Sequence, residues 1–460
     1  MTKPAVPALA TFGDFVSHAV VPPAARRAAL NAILDTVGVT LAGSVEPAAR
    51  MVREVARSEG GAARCGILGV PERTGAGWAA LANGTAAHAL DFDDMCFVSL
   101  AHPSAPLVAA GLAVGELAGA TGEALLDAYC VGFEIEAVLG RVMNPAHYEH
   151  GWHCTSTLGT IGAAATAARL WGYDAETAVR TMGVAASCAS GLKESFGTEV
   201  KPLQAGLAGR NGVLAAQLAG AGFSATDRAV DGPQGLLVAM HGRERELGAA
   251  ADPLGREWEI VEGGITVKLY PSCAATHPAL DTLLDLRAEH RFAAADVTEV
   301  EIGVDRVTPT VLIHERPTTG LEGKFSMHFC AASAVAHGRV DIQTFEPAGL
   351  GNALTRDVLS RVTMRVDPSL GLDQPPLTEA NVIVRLADGR TCERRVRGAR
   401  GYPNRPPSGD ELDQKFRACA TRAVPAASAD EALAWLRDLE SQADVADLAA
   451  CLRSFEPVAV

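Results

Sequence analysis

The sequence predicts a mainly α-helical protein, in which a large all-helical domain carries a smaller α+β domain with an antiparallel sheet. Apolar residues recur at helical spacing up to about residue 260, and strand-like alternation appears only beyond residue 264. The helical pattern returns after about residue 402. A chain of 460 residues usually forms more than one domain. We therefore predict a helical domain of residues 1–264 and 403–460, with residues 265–402 inserted as the α+β domain.

The first part of the chain predicts a succession of helices rich in small side chains. In residues 22–44, Ala29, Ile33, Val37 and Leu41 fall on one helical face. Ala and Gly are frequent throughout this part, so neighbouring helices are expected to approach closely. The same pattern predicts further helices at 72–90, 104–119, 123–143, 155–171, 175–191 and 204–221.

The sheet is predicted from alternating apolar and polar residues in the second part of the chain. Residues 297–305 and 361–367 alternate in this way. Residues 381–397 contain two such runs on either side of Asp388-Gly389, which is a strong hairpin signal. Two helical segments are predicted among the strands, at 277–290 and 324–337.

Composition narrows the class of function. The net charge of −14 disfavours binding to nucleic acid or to an anionic membrane, and an anionic substrate would need a locally positive pocket. No apolar run has the length of a membrane span or a signal-peptide core. The ten cysteines are scattered and form no CxxC pair, which indicates neither a zinc ribbon nor a disulfide framework. We expect a cytoplasmic enzyme.

The first candidate site lies in NGTAAHALDFDDM and the AHPSA that follows it. Within fifteen positions this region holds His88, Asp91, Asp93, Asp94 and His102. Burying so many charges for packing alone would be costly, so a chemical role is favoured. The groups suit acid/base catalysis, in which aspartates orient imidazoles. They also suit a divalent metal ion held by His88, Asp91 and Asp93, and a solvated helix end is the structural alternative.

The second candidate site begins at His147, in HYEHGWHCTSTLGT. The spacing of His147, His150 and His153 is compatible with a metal site, but the composition indicates a loop that does not fix three ligands on one face. His153 precedes a small-residue helix with Thr155 or Ser156 as its expected N-cap. A helix N-terminus disfavours the protonated imidazole, so His153 is interpreted as a neutral base. His147 and His150 are interpreted as surface residues.

Two further segments contribute cations and a thiol. Lys201 and Arg210 lie in the Gly-rich segment FGTEVKPLQAGLAGRNGV, where such cations bind carboxylates, although a surface position for Lys201 is nearly as plausible. Lys268 and Cys273 lie in ITVKLYPSCAATHPALD, at a turn that directs side chains into a cleft. A nucleophilic role for Cys273 is the less favoured interpretation.

These segments resemble the MmgE/PrpD family. NGTAAHALDFDD, HPSAPLVAAGLAVGE, GWHCTSTLGTIGAAATAARLWG, GTEVKPLQAGLAGRNGV, KLYPSC and KFSM occur in the family's order and spacing, over almost the whole chain. The resemblance implies a helical domain and a smaller α+β domain, an active site between them, and a homodimer. It also implies small di- or tricarboxylate substrates and catalysis without a metal or organic cofactor. Members include 2-methylcitrate dehydratase, cis-aconitate decarboxylase and iminodisuccinate epimerase.

The resemblance also implies functional residues. Asp91, His102, His153 and Lys201 match the active site of the decarboxylase. Three positions depart from it, because the decarboxylase has histidine, tyrosine and threonine where this chain has Cys273, Phe329 and Met95 respectively. HYEHGWHCTSTLG, TEVKPLQAGLAGRNGVLAA and YPSC are most similar to iminodisuccinate epimerase. We therefore expect an epimerase-like or dehydratase-like reaction, with cis-aconitate-type decarboxylation as the alternative.

The mechanism that follows is proton transfer at the carbon next to a carboxylate. Cations bind the carboxylates and stabilise the enolate-like charge, and imidazoles supply base and acid. An epimerase needs a base on each face of that carbon, whereas a dehydratase needs a base and an acid, so the sequence leaves the choice open. The predicted catalytic residues are Asp91, His102, His153, Lys201 and Tyr148. The predicted substrate-binding residues are Lys268, Arg210, Cys273, Met95 and Phe329.

Overall fold

The computed structural model describes residues 7–241, 247–371 and 378–452. Helices dominate the first part of the chain, as predicted. Its helices are α1 (Ala8–His18), α2 (Pro23–Ser44), α3 (Pro47–Glu59), α4 (Ala76–His88), α5 (Ser104–Ala118), α6 (Gly122–Met143), α7 (Ala146–Glu149), α8 (Cys154–Leu170), α9 (Ala175–Cys188), α10 (Val200–Gly220), α11 (Leu236–His241), α12 (Leu247–Ala251) and α13 (Glu259–Glu262). Its two short strands are β1 (Cys65–Gly66) and β2 (Arg73–Thr74). These strands were not predicted, because two residues are too few to show alternation.

The second part mixes helices and strands, and helices then return at the C-terminal end. The middle elements are α14 (His277–His290), β3 (Val297–Val304), α15 (Gly320–Gly323), α16 (Met327–His337), α17 (Pro347–Leu350), α18 (Ala353–Leu359), β4 (Val362–Val366), β5 (Glu379–Leu386) and β6 (Thr391–Arg397). The last helices are α19 (Gly409–Ala420), α20 (Ala426–Arg437) and α21 (Ala446–Cys451). The predicted fold class, mainly α with an α+β part, is confirmed.

The larger sheet is mixed rather than antiparallel. Its strand order is β4-β3-β5-β6, with β3–β5 and β5–β6 antiparallel and β3–β4 parallel. The β5–β6 hairpin turns at Asp388-Gly389 as predicted, with Gly389 at φ 88°. Strand β4 is parallel because α15 to α18 lie between it and β3 and carry the chain back across the sheet.

The buried apolar residues form two main clusters. One extends from Ala8 to Val267 and from Leu412 to Leu452, and the other from Tyr270 to Cys392. The predicted division into a helical domain and an inserted domain leads us to expect two such clusters. The domain boundaries themselves stay a prediction.

The packing of α4 against α10 positions the candidate site. The two helices run antiparallel, so that the C-terminal end of α4 meets the N-terminal end of α10. They approach closely where glycine faces glycine, since a Cβ added at Gly84 would lie 2.8 Å from the Gly206 Cα. Each helix thereby brings one polar side chain to the same point, His88 from α4 and Lys201 from α10.

Within the described residues, no single helix is long and apolar enough to cross a membrane. Helices α2 and α3, which meet at an angle of 83°, have the length and apolar composition of a membrane span only when the two are taken together.

Gly206→Ala is expected to destabilise the protein. The added Cβ would overlap the Leu81 carbonyl and the Thr85 hydroxyl of α4, and such overpacking costs about 1–3 kcal/mol. A lower midpoint of thermal unfolding would measure this effect. Gly409→Ala is the matched control, because a Cβ at this helical position meets no atom within 4 Å. Equal midpoints for the two variants would contradict the close approach of α4 and α10.

Candidate active site

The site is built around Asp91, in the connection between α4 and α5. Asp91 has a left-handed backbone, with φ 51°, which is uncommon for a residue other than glycine. Its carboxylate accepts hydrogen bonds from Lys201 Nζ at 2.5 Å and from Lys268 Nζ at 2.7 Å. Lys268 Nζ also donates to the Asp91 carbonyl at 2.9 Å. The two lysines therefore hold both the side chain and the backbone of this turn.

The two ammonium groups keep Asp91 ionised. Burial by itself would raise the pKa of the carboxyl, but Lys201 and Lys268 outweigh it and hold the pKa well below its usual range. Removing either lysine would leave a buried charge with too few partners. The alternative of a surface position for Lys201 is wrong, since the exposed fraction of this residue is only 4%.

His88 connects Asp93 to Lys201. Its Nδ1 lies 2.7 Å from an Asp93 oxygen and its Nε2 lies 2.7 Å from Lys201 Nζ. Because the Lys201 ammonium group can only donate, His88 Nε2 accepts this hydrogen bond. The ring proton of His88 is therefore on Nδ1, which donates a hydrogen bond to Asp93. Burial lowers the pKa of His88, which agrees with a neutral ring. Lys201 thus donates one hydrogen bond to Asp91 and one to His88, and its third N–H has no hydrogen-bond partner among the described residues.

His102 lies beside this chain of contacts. Its ring centroid is 4.5 Å from that of His88, its Nδ1 is 3.4 Å from an Asp93 oxygen, and its Nε2 is 4.0 Å from an Asp91 oxygen. Burial is the largest of the effects that lower the pKa of His102 to about 3. Lys268 and Lys201 also lower this pKa, whereas Asp93 raises it. His102 is therefore a neutral imidazole, as a general base requires.

His153 lies on the other side of His88, with 5.6 Å between the ring centroids. It is itself the N-cap of α8, two or three residues earlier than the expected Thr155 or Ser156. Its Nδ1 is 2.6 Å from Gln204 Oε1, and its buried Nε2 has no hydrogen-bond partner among the described residues. Burial, reinforced by Lys201, holds the pKa of His153 well below its usual range. The prediction of a neutral ring agrees with this lowered pKa. Its largest cause is burial, whereas the prediction relied on the helix N-terminus.

A cavity of about 210 Å³ opens between the helical part and the α+β part of the chain. It contains the five predicted catalytic side chains together with Met95 and Cys273. Its lining includes Asp91, Met95, His102, Tyr148, His153, Phe196, Lys201, Cys273, Arg306 and Phe325. The five predicted catalytic residues therefore share one cavity.

Tyr148 and Cys273 are both protonated in this cavity. Burial raises the pKa of the Tyr148 hydroxyl, whose ring lies 3.7 Å below the Lys193 ammonium group, so Tyr148 is a hydrogen-bond donor. Burial also raises the pKa of the Cys273 thiol to about 11, which disfavours a nucleophilic role.

Three residues predicted to bind substrate, Arg210, Phe329 and Lys268, lie outside the cavity lining. Arg210 stacks on Trp78, at 5.2 Å from the ring, because nine residues after Lys201 is about two and a half helical turns and places it on the opposite face of α10. Phe329 is buried in the α+β core, 5.8 Å from Phe345. Lys268 lies behind Asp91 rather than in the lining.

The prediction for His147 was also wrong. His147 is fully buried and its Nε2 hydrogen-bonds the Thr157 hydroxyl at 2.7 Å. Its ring stacks on Trp152, so it fixes the loop before α8 instead of facing solvent. His150 is exposed, as expected.

The donor set does not fit a metal ion. His88, Asp91, Asp93 and His102 bring ligand atoms within 4.8 Å of one another. However, both Asp91 oxygens accept hydrogen bonds from ammonium groups, and both ring nitrogens of His88 are hydrogen-bonded to Asp93 and Lys201. A divalent cation would lie against two fixed positive charges, which oppose its binding.

Three residues of the site were not predicted from the sequence. Gln204 was missed because a neutral amide gives no charge signal, although it lies one helical turn after Lys201. Arg306 directly follows the predicted strand and reaches the cavity from the α+β part. Lys324 is buried and donates to the carbonyls of Leu90 and Pro271, so it joins the Asp91 turn to the Cys273 turn.

The MmgE/PrpD N-terminal domain model matches residues 8–246, and the MmgE/PrpD C-terminal domain model matches residues 270–440. The chain belongs to the MmgE/PrpD family. The resemblance noted from the sequence motifs is thereby confirmed.

Relatives of this MmgE/PrpD chain extend over nearly its whole length. A cis-aconitate decarboxylase-like protein of Aspergillus oryzae is 26% identical over 456 residues, which cover 94% of each chain. The cis-aconitate decarboxylase of Homo sapiens is 25% identical over 92% of this chain and 89% of that protein. The cis-aconitate decarboxylase of Aspergillus terreus is 22% identical over 84% of this chain and 83% of that protein.

The rings of His102 and His153 are expected to remain neutral as the pH falls through 6.5, the ordinary histidine value. Burial and the nearby ammonium groups penalise the protonated form, so protonation requires a lower pH. NMR titration of ring-labelled histidine measures both midpoints, with His102→Gln and His153→Gln used to assign the signals. A midpoint at or above 6.5 for either ring would contradict the described electrostatics.

Proposed function

We propose that this protein is a cofactor-independent enzyme that transfers a proton at the carbon next to a carboxylate of a small di- or tricarboxylate. One observation carries the proposal. Among the described residues, the buried Nε2 of the neutral His153 imidazole has no hydrogen-bond partner, and it shares a cavity with Lys201, whose third N–H has none either. A base beside a fixed cation is the arrangement that such a proton transfer needs.

The proposed reaction begins when a substrate carboxylate accepts a hydrogen bond from the third N–H of the Lys201 ammonium group. His153 Nε2 removes the proton from the adjacent carbon, and the electron pair of that C–H bond moves onto the carboxylate. Lys201 and, behind Asp91, Lys268 stabilise the negative charge that develops there. His153 is then an imidazolium, and it gives its proton away in the second half of the reaction.

The second half depends on the group that supplies a proton. If the protonated Tyr148 hydroxyl donates its proton to the opposite face of the carbon, the result is epimerisation, and the His153 imidazolium returns a proton to the Tyr148 oxygen. If the His153 imidazolium instead protonates a departing hydroxyl group, which leaves as water, the result is dehydration. The names of the relatives favour a second candidate, cis-aconitate-type decarboxylation, in which carbon dioxide leaves and the carbon is protonated.

The proposal of a substrate with two or more carboxylates is supported by Arg306. This exposed side chain lines the cavity and has no ion-pair partner within the described ranges 7–241, 247–371 and 378–452. Its turn is fixed by Asp305, which accepts hydrogen bonds from the backbone of Val307 and Thr308 at 2.8 Å. We propose that Arg306 binds a second carboxylate. From the family resemblance, we also propose a homodimer that works in the cytoplasm.

His153→Ala and Lys201→Met are expected to abolish proton exchange. In deuterated water, a panel of methylcitrate, cis-aconitate and aminodicarboxylates is followed by NMR for deuterium incorporation and for products. Exchange should fall roughly a hundredfold or more in each variant, which is the usual contribution of acid/base catalysis. His150→Ala is the matched control, because His150 is exposed and bonds only its own helix. Exchange near the wild-type rate in both variants would contradict the roles proposed for His153 and Lys201.

Arg306→Gln is expected to weaken substrate binding without altering the chemical step. Loss of one carboxylate contact should raise KM roughly tenfold and change kcat less than about twofold. Steady-state kinetics measure the two effects separately. Arg356→Gln is the control, since Arg356 is exposed on α18 and does not line the cavity. An unchanged KM in Arg306→Gln argues against a second carboxylate at this position.

A further inference from the structure

We infer that Gln204 is a positioning residue, which holds His153 in the tautomer with the proton on Nδ1 and so leaves the Nε2 lone pair facing the cavity. The catalytic consequence rests on the proposed function, whereas the tautomer itself does not. Gln204 carries no charge and lies behind His153, so it would act through the base rather than on the substrate.

The orientation of the Gln204 amide decides where its oxygen lies. Its Nε2 donates to the Leu192 carbonyl at 3.2 Å, and a carbonyl oxygen accepts only. The amide oxygen therefore points the other way, to His153 Nδ1 at 2.6 Å. Because an amide oxygen cannot donate, Nδ1 must carry the proton of this hydrogen bond. In the neutral ring, Nε2 is then left with its lone pair.

The surrounding backbone fixes both partners. Gln204 lies on α10 and is 6% exposed, and its own carbonyl accepts from the Ser156 hydroxyl at 3.1 Å. The backbone N–H of His153 donates to the Gly191 carbonyl at 3.0 Å. Gly191 has φ 125°, and a Cβ there would lie 2.6 Å from the Ser156 Cβ. Base and amide are therefore held in one tightly packed frame.

The choice of an amide over a carboxylate has a chemical consequence. A carboxylate at this position would favour the imidazolium form of His153 and occupy the base with a proton. The amide orients the ring without adding negative charge. The titratable groups that face His153 are Lys201 on α10, His88 at the end of α4, and His102 on the following turn. Of these, Lys201 forms an ion pair with Asp91, and its positive charge opposes protonation of His153.

The first experiment is nitrogen NMR of ring-labelled wild-type protein, with His153 assigned through His153→Gln. We expect His153 to carry its proton on Nδ1, which is the minor tautomer of free histidine. A neutral His153 with its proton on Nε2 would overturn the inference. This measurement needs no substrate, so it is independent of whether the proposed function is correct.

The second experiment replaces the amide. Gln204→Glu should raise the NMR midpoint of His153 and move the acidic limb of kcat/KM to higher pH by about one unit or more. Gln204→Leu should lose the fixed tautomer and slow exchange at least about tenfold, since a misplaced proton disables a histidine base. Gln217→Glu is the matched control, because Gln217 is exposed on the same helix.

The outcomes separate the two proposals. A shifted His153 midpoint without any exchange in wild-type protein would reject the proposed function and keep the role of Gln204. A purely structural role would lower the thermal midpoint and leave the His153 midpoint and the pH profile in place. If Gln204→Glu behaves like Gln217→Glu in both pH measurements, the inference is wrong.

Discussion

The ion cluster of Asp91 with Lys201 and Lys268 is the interaction on which the rest of the site depends. Three buried charged groups are tolerated together because each compensates the desolvation of the others. Lys201 comes from α10, Asp91 from the turn after α4, and Lys268 from the segment that leads into the α+β part. The cluster therefore joins the elements of the cavity as well as supplying its charge.

The same cluster explains why the histidines are suited to act as bases. A buried imidazole near ammonium groups resists protonation, so His102 and His153 keep their lone pairs at neutral pH. Both ring nitrogens of His88 form hydrogen bonds, one to Asp93 and one to Lys201, so His88 is not available as a base. Neighbouring histidines of one motif thus have different tasks, which are set by their hydrogen-bond partners.

Sequence reasoning identified the residues whose chemistry is costly to bury. Asp91, His102, His153 and Lys201 were predicted because charged and titratable groups in apolar segments need a reason to be there. The prediction for Arg210 was wrong because its spacing of nine residues from Lys201 places it on the opposite face of α10. The parallel pairing of β4 could not be predicted either, since alternation reveals a strand but not its partner or direction.

Gln204 and Arg306 show what a linear pattern leaves out. An amide gives no charge signal, and its value lies in the atom it faces, which is known only once α10 is packed against α8. A lone arginine on a loop resembles any solvated residue until the fold brings it to a cavity. Their identification required the tertiary structure.

A crystal structure with bound succinate, a dicarboxylate that lacks a leaving group, tests the central claim most directly. The account predicts one carboxylate within about 3.2 Å of Lys201 Nζ, the adjacent carbon facing His153 Nε2, and the second carboxylate near Arg306. Succinate bound elsewhere, or with both carboxylates turned away from Lys201 at saturating concentration, would contradict it.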